Sequence, residues 1–345
     1  MIGRVSMGVE SESNMKEREM ELKFRRHPDY QALRAEMTPH EIYIRRRELL
    51  AAAGFAGTAA MLGGLPAFAQ TPTAQIAAGA AMAAKKSAYT LADQQAAEQD
   101  FNEFCNFYEF GLNKDDPARH AGKMDVSNWK IKVEGETDAA GTYDLRDLID
   151  YSQLEERVYR HRCVERWSMV VPWIGVPLGP VLAKLKPKAG AKYAQFLTHL
   201  DRSAMVGLAY GGLDWPYSEA LHLNEAKNDL AFLAVGAYGK GLKQQNGAPI
   251  RTVVPWKYGY KGAKSIATIR FTTMQPPTAW NVANPREYGF YSNVNPKRSH
   301  PRWSQEQERV LGVGGFNPQR KTEMFNGYEA QVGYLYKDID LIKYH

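Results

Sequence analysis

The chain reads as an α+β protein with mixed sheets and short helices. Segments of strand and helix character are interleaved irregularly instead of in repeated βαβ units, which disfavours a doubly wound parallel sheet. Of the 345 residues, 44% are hydrophobic and 24% charged, the proportions of a packed globular protein and not of a disordered chain. From Phe101 to His345 the Pro, Gly and aromatic residues are spread evenly, with no linker, repeat or low-complexity block. One domain over 101–345 is therefore expected, long enough to bury a real core.

Residues 1–69 read as an export signal with a long leading region. Arg45-Arg46-Arg47 precedes an uncharged Ala- and Gly-rich run, 51–68, that ends in Ala67-Phe68-Ala69. This is the order of charged region, apolar region and small-residue cleavage site of a secretory signal. Arg46-Arg47-Glu48-Leu49-Leu50 has the twin-arginine form, a route that carries folded proteins and so hints at a cofactor inserted before export. An uncleaved membrane anchor is the competing reading, but the run holds few large apolar side chains. Residues 70–100, rich in Ala with scattered polar residues, read as a flexible tether.

Within the domain, Trp129 to Gly135 alternates apolar and charged residues as a half-buried strand does. Leu145 to Tyr151 suits a short helix. Asn224 to Val235 carries a weaker helical period. Ile250 to Trp256 and Ser265 to Thr273, rich in β-branched residues, read as strands.

Composition and motif excludes several functions. Lys and Arg exceed Asp and Glu by only 44 to 38, too small an excess for a basic stripe that would grip nucleic acid. Two cysteines are too few for a disulfide-dense scaffold or an iron–sulfur ferredoxin. There is no H-E-x-x-H, C-x-x-C, G-x-S-x-G or strand-linked G-x-G-x-x-G. What remains is Cys163, flanked by His161, Arg162 and Arg166, whose positive charge would favour the thiolate that ligates soft metals. A small buried hydrophobe, or a structural Cys105–Cys163 disulfide in an exported chain, accounts for the same residues. Separately, Asn246 to Arg251 and Gly259 to Lys264 combine glycines, Arg251, Lys261 and Lys264, parts suited to the phosphate of an organic cofactor or, more plainly, to a turn-rich solvated surface.

Longer runs are more specific. Asn106-Phe107-Tyr108-Glu109-Phe110-Gly111, Arg162-Cys163-Val164-Glu165, Trp167 to Gly175, Gln245-Asn246-Gly247-Ala248-Pro249 and Val254 to Gly259 occur in this order. They are followed by Glu287-Tyr288-Gly289-Phe290-Tyr291, Asn293 to Pro296 and His300 to Gln305. Together they resemble the catalytic subunits of protein-methionine-sulfoxide reductases, within the sulfite-oxidase-type molybdopterin family, over nearly all of 101–345. The resemblance implies a sulfite-oxidase-type α+β fold and one molybdenum held by a single molybdopterin and a protein cysteine, matched here by Cys163. It implies pterin-binding positions at Tyr108, Glu109, Thr198, Asn246, Arg251, Gly262, Ala263 and Lys264. Cys105 stands where the family pattern has an Asn, so cofactor contact there would come from a thiol, a weaker hydrogen-bonding group. Glu165 is a candidate for proton delivery or for supporting the metal site. The implied reaction is oxygen-atom transfer from methionine sulfoxide in oxidised periplasmic proteins, with electrons from a haem-containing membrane subunit that draws on quinol. Reduction of small S- or N-oxides on the same scaffold, or an exported binding protein with a Cys105–Cys163 disulfide, are the alternatives.

Overall fold

A computed structural model describes residues 78–209, 212–313 and 318–345. The expected signal over 1–69 lies outside the described residues. Among those described, no helix is long and apolar enough to cross a membrane.

Among the described residues thirteen strands follow one another, beginning with β1 (Lys85–Lys86), β2 (Lys130–Gly135), β3 (Gly141–Asp144), β4 (Glu155–Arg162), β5 (Trp167–Pro177), β6 (Tyr193–Thr198) and β7 (Ser218–His222). The chain continues through β8 (Phe232–Ala237), β9 (Lys240–Gly241), β10 (Arg251–Val253), β11 (Ile266–Thr272), β12 (Gln307–Val310) and β13 (Gln319–Lys321). A five-stranded sheet has the order β3-β2-β11-β6-β7, with only β2 and β11 parallel. The larger sheet is built around β5. One side of β5 pairs with β4 along the whole hairpin, from Glu155 opposite Gly175 to Arg162 opposite Ser168. Its other side meets β12 at Trp167 and Ser168 and β8 from Trp173 to Pro177. Mixed sheets with helices that, among the described residues, have no more than seven residues give the α+β class expected from the sequence.

Strand burial follows the residue pattern. β2 alternates exposed Lys130 and Lys132 with buried Ile131 and Val133, as period 2 requires for a one-sided strand. β5 is buried at every residue but its last, which explains why Trp167 to Pro177 reads as a continuous run without alternation. The strands expected over 250–256 and 265–273 are found as β10 and β11, the first shorter. The helix expected from Leu145 covers Leu145–Leu148 and is followed by a single tight turn at Tyr151–Gln153.

Two expectations need correction. The helical period read over Asn224 to Val235 holds only for Leu223–Ala226, and Phe232 onward is β8. β8 is paired along both edges, by β5 and β10, and every one of its residues is buried; a strand buried on both faces has no alternation to distinguish it from a helix. The segment 70–100, expected as a tether, is laid against the domain from residue 78. β1 pairs parallel with β4, Ala96 N–H donates to Val170 O at 2.9 Å, and Asp93 bridges Arg160 and Arg320. Met82 and Ala96 are buried there, so alanine-rich composition concealed a packed edge.

Candidate active site

The β4–β5 hairpin turns through Cys163, Val164, Glu165 and Arg166. Cys163 N–H donates to Trp167 O at 2.8 Å, and Arg166 adopts φ +67° to complete the reversal. Arg162 braces the turn from beneath. Its buried guanidinium donates to the Cys163 carbonyl, to Glu308 at 2.6 Å, to Gln305 at 2.8 Å and to Thr322 at 3.2 Å. Trp303 and Gln305 both donate to Val164 O, at 2.9 and 2.8 Å. The turn is therefore a fixed platform for one thiol.

That thiol is buried, and two N–H groups approach its sulfur: Glu165 N at 3.5 Å and Asn106 Nδ2 at 3.6 Å. Burial, together with the Glu165 carboxylate, pushes the Cys163 thiol up to about 12. The expectation that its basic neighbours favour the thiolate is thus overturned. The Arg162 charge, turned to Glu308, still draws the thiol down but is outweighed by burial, and burial beside Arg251 and Lys264 pushes His161 down to about 3, leaving it neutral. A metal cation, which deprotonates a coordinating thiol outright, supplies what the protein does not. Among the described residues no group of three or more His, Cys, Asp or Glu side chains could hold a metal unaided, so a metal at Cys163 needs ligands from another source. Both cysteines are free thiols, which removes the structural disulfide.

Glu165 is held by Lys114 at 2.6 Å, by Trp167 Nε1 at 3.0 Å and by Asn106 Nδ2 at 3.1 Å. Burial works to raise its carboxyl, but the Lys114 charge and these hydrogen bonds outweigh it and hold the group below the usual carboxylate range. Glu165 is ionised, so proton delivery, one of the roles expected of it, is not what the resting geometry offers.

Cys163 opens onto a cleft lined by residues from both sheets. Its lining includes Cys105, Tyr108, Glu109, Thr198, Asn246, Arg251 and Lys264, residues up to about 160 positions apart. Tyr108 and Glu109 lie on a tight turn, Tyr108–Phe110, seated on a small core of Phe107, Phe110, Met124 and Met205. Gly207 packs against that turn so closely that a Cβ would come 2.0 Å from Tyr108 O. Thr198 ends β6, and Arg251 begins β10.

Three of these side chains leave a buried oxygen without a partner: Glu109 Oε1, Thr198 Oγ1 and Asn246 Oδ1. Each such atom costs about 1–3 kcal/mol unless a ligand satisfies it, and three around one cleft describe a polar ligand. Two cations share the cleft. Arg251 is buried, donates to Asn246 O at 3.1 Å and lies over the Trp173 ring at 4.8 Å. Lys264, half-buried, lies over the Phe107 ring at 5.1 Å. Among the described residues neither is in salt-bridge contact with a carboxylate, and Glu109 reaches Lys264 only through space. Burial pushes Arg251 down to about 10 and Lys264 down to about 8, while the buried Glu109 carboxyl rises to about 7. A pair of under-compensated cations is a site for an anion.

Residues 118–280 match the oxidoreductase molybdopterin binding domain. The protein-methionine-sulfoxide reductase catalytic subunit MsrP of Burkholderia mallei is 50% identical over 316 residues, 90% of this chain and 95% of that protein. MsrP of Ralstonia nicotianae is 49% identical over 317 residues, with the same coverage. MsrP of Pseudomonas syringae is 46% identical over 327 residues, 90% of this chain and 96% of that protein. The chain belongs to the MsrP family.

For an MsrP-family chain the cleft fits a phosphorylated pterin. The orphaned oxygens of Glu109, Thr198 and Asn246 would meet its polar edges, Arg251 and Lys264 its phosphate, and Cys163 its metal. Two expected contacts take a different form. Gly262 N–H donates to Gly259 O and Ala263 N–H to Thr252 Oγ1, so neither amide is free to cradle a phosphate. Neither residue lines the cleft directly; Gly262 leaves room for the Arg251 guanidinium, from which a Cβ there would lie 3.2 Å. Cys105 lines the cleft but is occupied, with Sγ donating to Phe101 O at 3.4 Å and receiving Asn246 Nδ2 at 3.6 Å, and burial pushes its thiol up to about 12.

Sequence reading missed Asn106, Lys114, Trp280 and Tyr288 as lining or support. Asn106 had a signal, lying inside the N-F-Y-E-F run. Lys114 had none, because nothing local marks a lysine that folds back eight residues.

Proposed function

We propose that this MsrP-family chain reduces methionine sulfoxide in oxidised periplasmic proteins to methionine. In support, one fixed cysteine opens into a cleft whose lining leaves three acceptors and two cations unsatisfied, in a chain half identical to proteins of that name. When bound, the molybdenum–molybdopterin cofactor supplies the two-electron chemistry that takes the sulfoxide oxygen. The chain's residues hold and orient. Cys163 ligates the metal, and Arg251 and Lys264 anchor the phosphate end. Tyr108, Trp280 and Tyr288 stack edge to face or tilted, at 5.2 and 4.7 Å between centroids, as an aromatic wall against which a methionine side chain fits. Burial raises the Tyr108 and Tyr288 hydroxyls well above their ordinary range, so both stay protonated and donate hydrogen bonds to a sulfoxide oxygen. Glu165 stays ionised and fixes Asn106.

Export by the twin-arginine route rests on Arg46-Arg47-Glu48-Leu49-Leu50 and the Ala67-Phe68-Ala69 site. Electrons from a haem-containing membrane subunit fed by quinol are what the family resemblance implies. The test is molybdenum content of wild type and Cys163→Ala, paired with reduction of free and protein-bound methionine sulfoxide by a dye donor. Metal in the wild type alone, with activity on the protein-bound form, is expected. Metal retained in Cys163→Ala overturns the assignment, and activity confined to small S- or N-oxides redirects it.

A further inference from the structure

Lys114 lies outside the cleft lining yet makes three contacts with the segment beside the thiol. Its carbonyl accepts from Cys105 N–H at 2.8 Å, and its ammonium reaches Asn106 Oδ1 at 2.5 Å and Glu165 Oε2 at 2.6 Å. Lysine has donors only, so the amide atom it meets must be the oxygen. With Lys114 on Oδ1 and Glu165 on Nδ2 at 3.1 Å, the Asn106 amide has one orientation, which turns an N–H toward the Cys163 sulfur. The reverse orientation would bring a carbonyl oxygen against the sulfur and the carboxylate, and an N–H₂ against the ammonium. We propose that Lys114 is a positioning residue: by clasping Asn106 and Glu165 it presents a hydrogen-bond donor to the sulfur that ligates the metal. A donor on a coordinating sulfur draws electron density from it and makes the metal easier to reduce.

This inference rests on the reading of Cys163 as metal ligand. It is tested on holoenzyme of wild type, Lys114→Met, Lys114→Arg, Asn106→Leu and the Lys114→Met/Asn106→Leu pair. Molybdenum content is measured first, then the midpoint potential and g-values of the metal's paramagnetic state by EPR-monitored titration. Lys114→Met is expected to change the g-values and to lower the reduced-to-oxidised ratio at fixed potential about tenfold, equivalent to about 59 mV for one electron. Lys114→Arg should stay near wild type. The double variant should match Asn106→Leu, because the lysine acts through that amide. Normal metal content with an unshifted potential in Lys114→Met, or a double variant in which the two shifts add in full, overturns the inference alone. Should Lys114→Met not retain metal, Asn106→Asp keeps the lysine but offers the sulfur no N–H; an unshifted potential there overturns the inference equally. Wild-type protein without molybdenum removes the reading and this inference together.

Discussion

Replacing Lys264 by Met separates a cation kept for a ligand from one kept for the fold, because the two roles predict opposite signs in cofactor-free protein. Among the described residues no hydrogen bond ties the Lys264 ammonium, which lies over the Phe107 ring and feels the more distant Glu109 carboxyl. Burial, with Arg251 nearby, pushes its pKa from 10.5 to about 8. A folded value below the unfolded one means that the charged lysine destabilises the empty protein at neutral pH. That penalty is relieved as pH rises from about 8 to 10.5, where the unfolded chain holds more protons. At about 1.4 kcal/mol per unit the ceiling is about 3.5 kcal/mol, and since the side chain is partly open to the cleft, about 1–2 kcal/mol is expected. Cofactor-free Lys264→Met should therefore melt a few degrees above wild type at pH 7, and the gap should close above about pH 10.5. Loading should move the other way. One lost charge-assisted contact of about 1.5–3 kcal/mol weakens retention of the phosphorylated cofactor by roughly 10- to 150-fold. Calorimetry across pH on protein produced without molybdate, beside pterin and molybdenum analysis at limiting cofactor, reads both. A variant that loads normally, or that melts lower when empty, refutes the anion-site argument.

Thr198→Val removes a buried hydroxyl that has no protein partner. Empty protein should be unchanged or up to about 1 kcal/mol more stable, while cofactor retention should weaken by roughly 2- to 12-fold for one lost hydrogen bond. Arg162→Met leaves the buried Glu308 with only Arg320 as a countercharge, and a cost of about 3–5 kcal/mol should lower the melting temperature by roughly 6–20 °C; adding Glu308→Gln should recover part of it. Cys163→Ala should lose metal while melting near the cofactor-free wild type, because the sulfur receives only two long N–H contacts, at 3.5 and 3.6 Å. A large loss of stability in that variant would mean that the thiol serves the core.

Much was legible along the chain where a local pattern carries a local cause. The alternation of β2 and the β-branched β11 follow from one-sided burial. Cys163 stood out because charged and aromatic residues crowd a single sulfur along the chain. Legibility failed where burial on both faces erased periodicity, as in β8, and where alanine-rich composition hid a docked edge, as in 78–100. It failed again at charges. Arg162 and His161 look in sequence as if they lower the thiol, yet burial outweighs the pull of the first, which is turned to Glu308, and the second is neutral.

The amino-acid order by itself determined the α+β class, the thiol and the Arg251 and Lys264 cations, since residue type sets what an atom is able to bind. Only the tertiary structure decided which of those groups remain unsatisfied. The neighbours that could satisfy a buried acceptor come from segments far apart in the chain, so the free acceptors at Glu109, Thr198 and Asn246 are settled by packing and by nothing local, whereas the amides of Gly262 and Ala263 are filled close by, from Gly259 and Thr252.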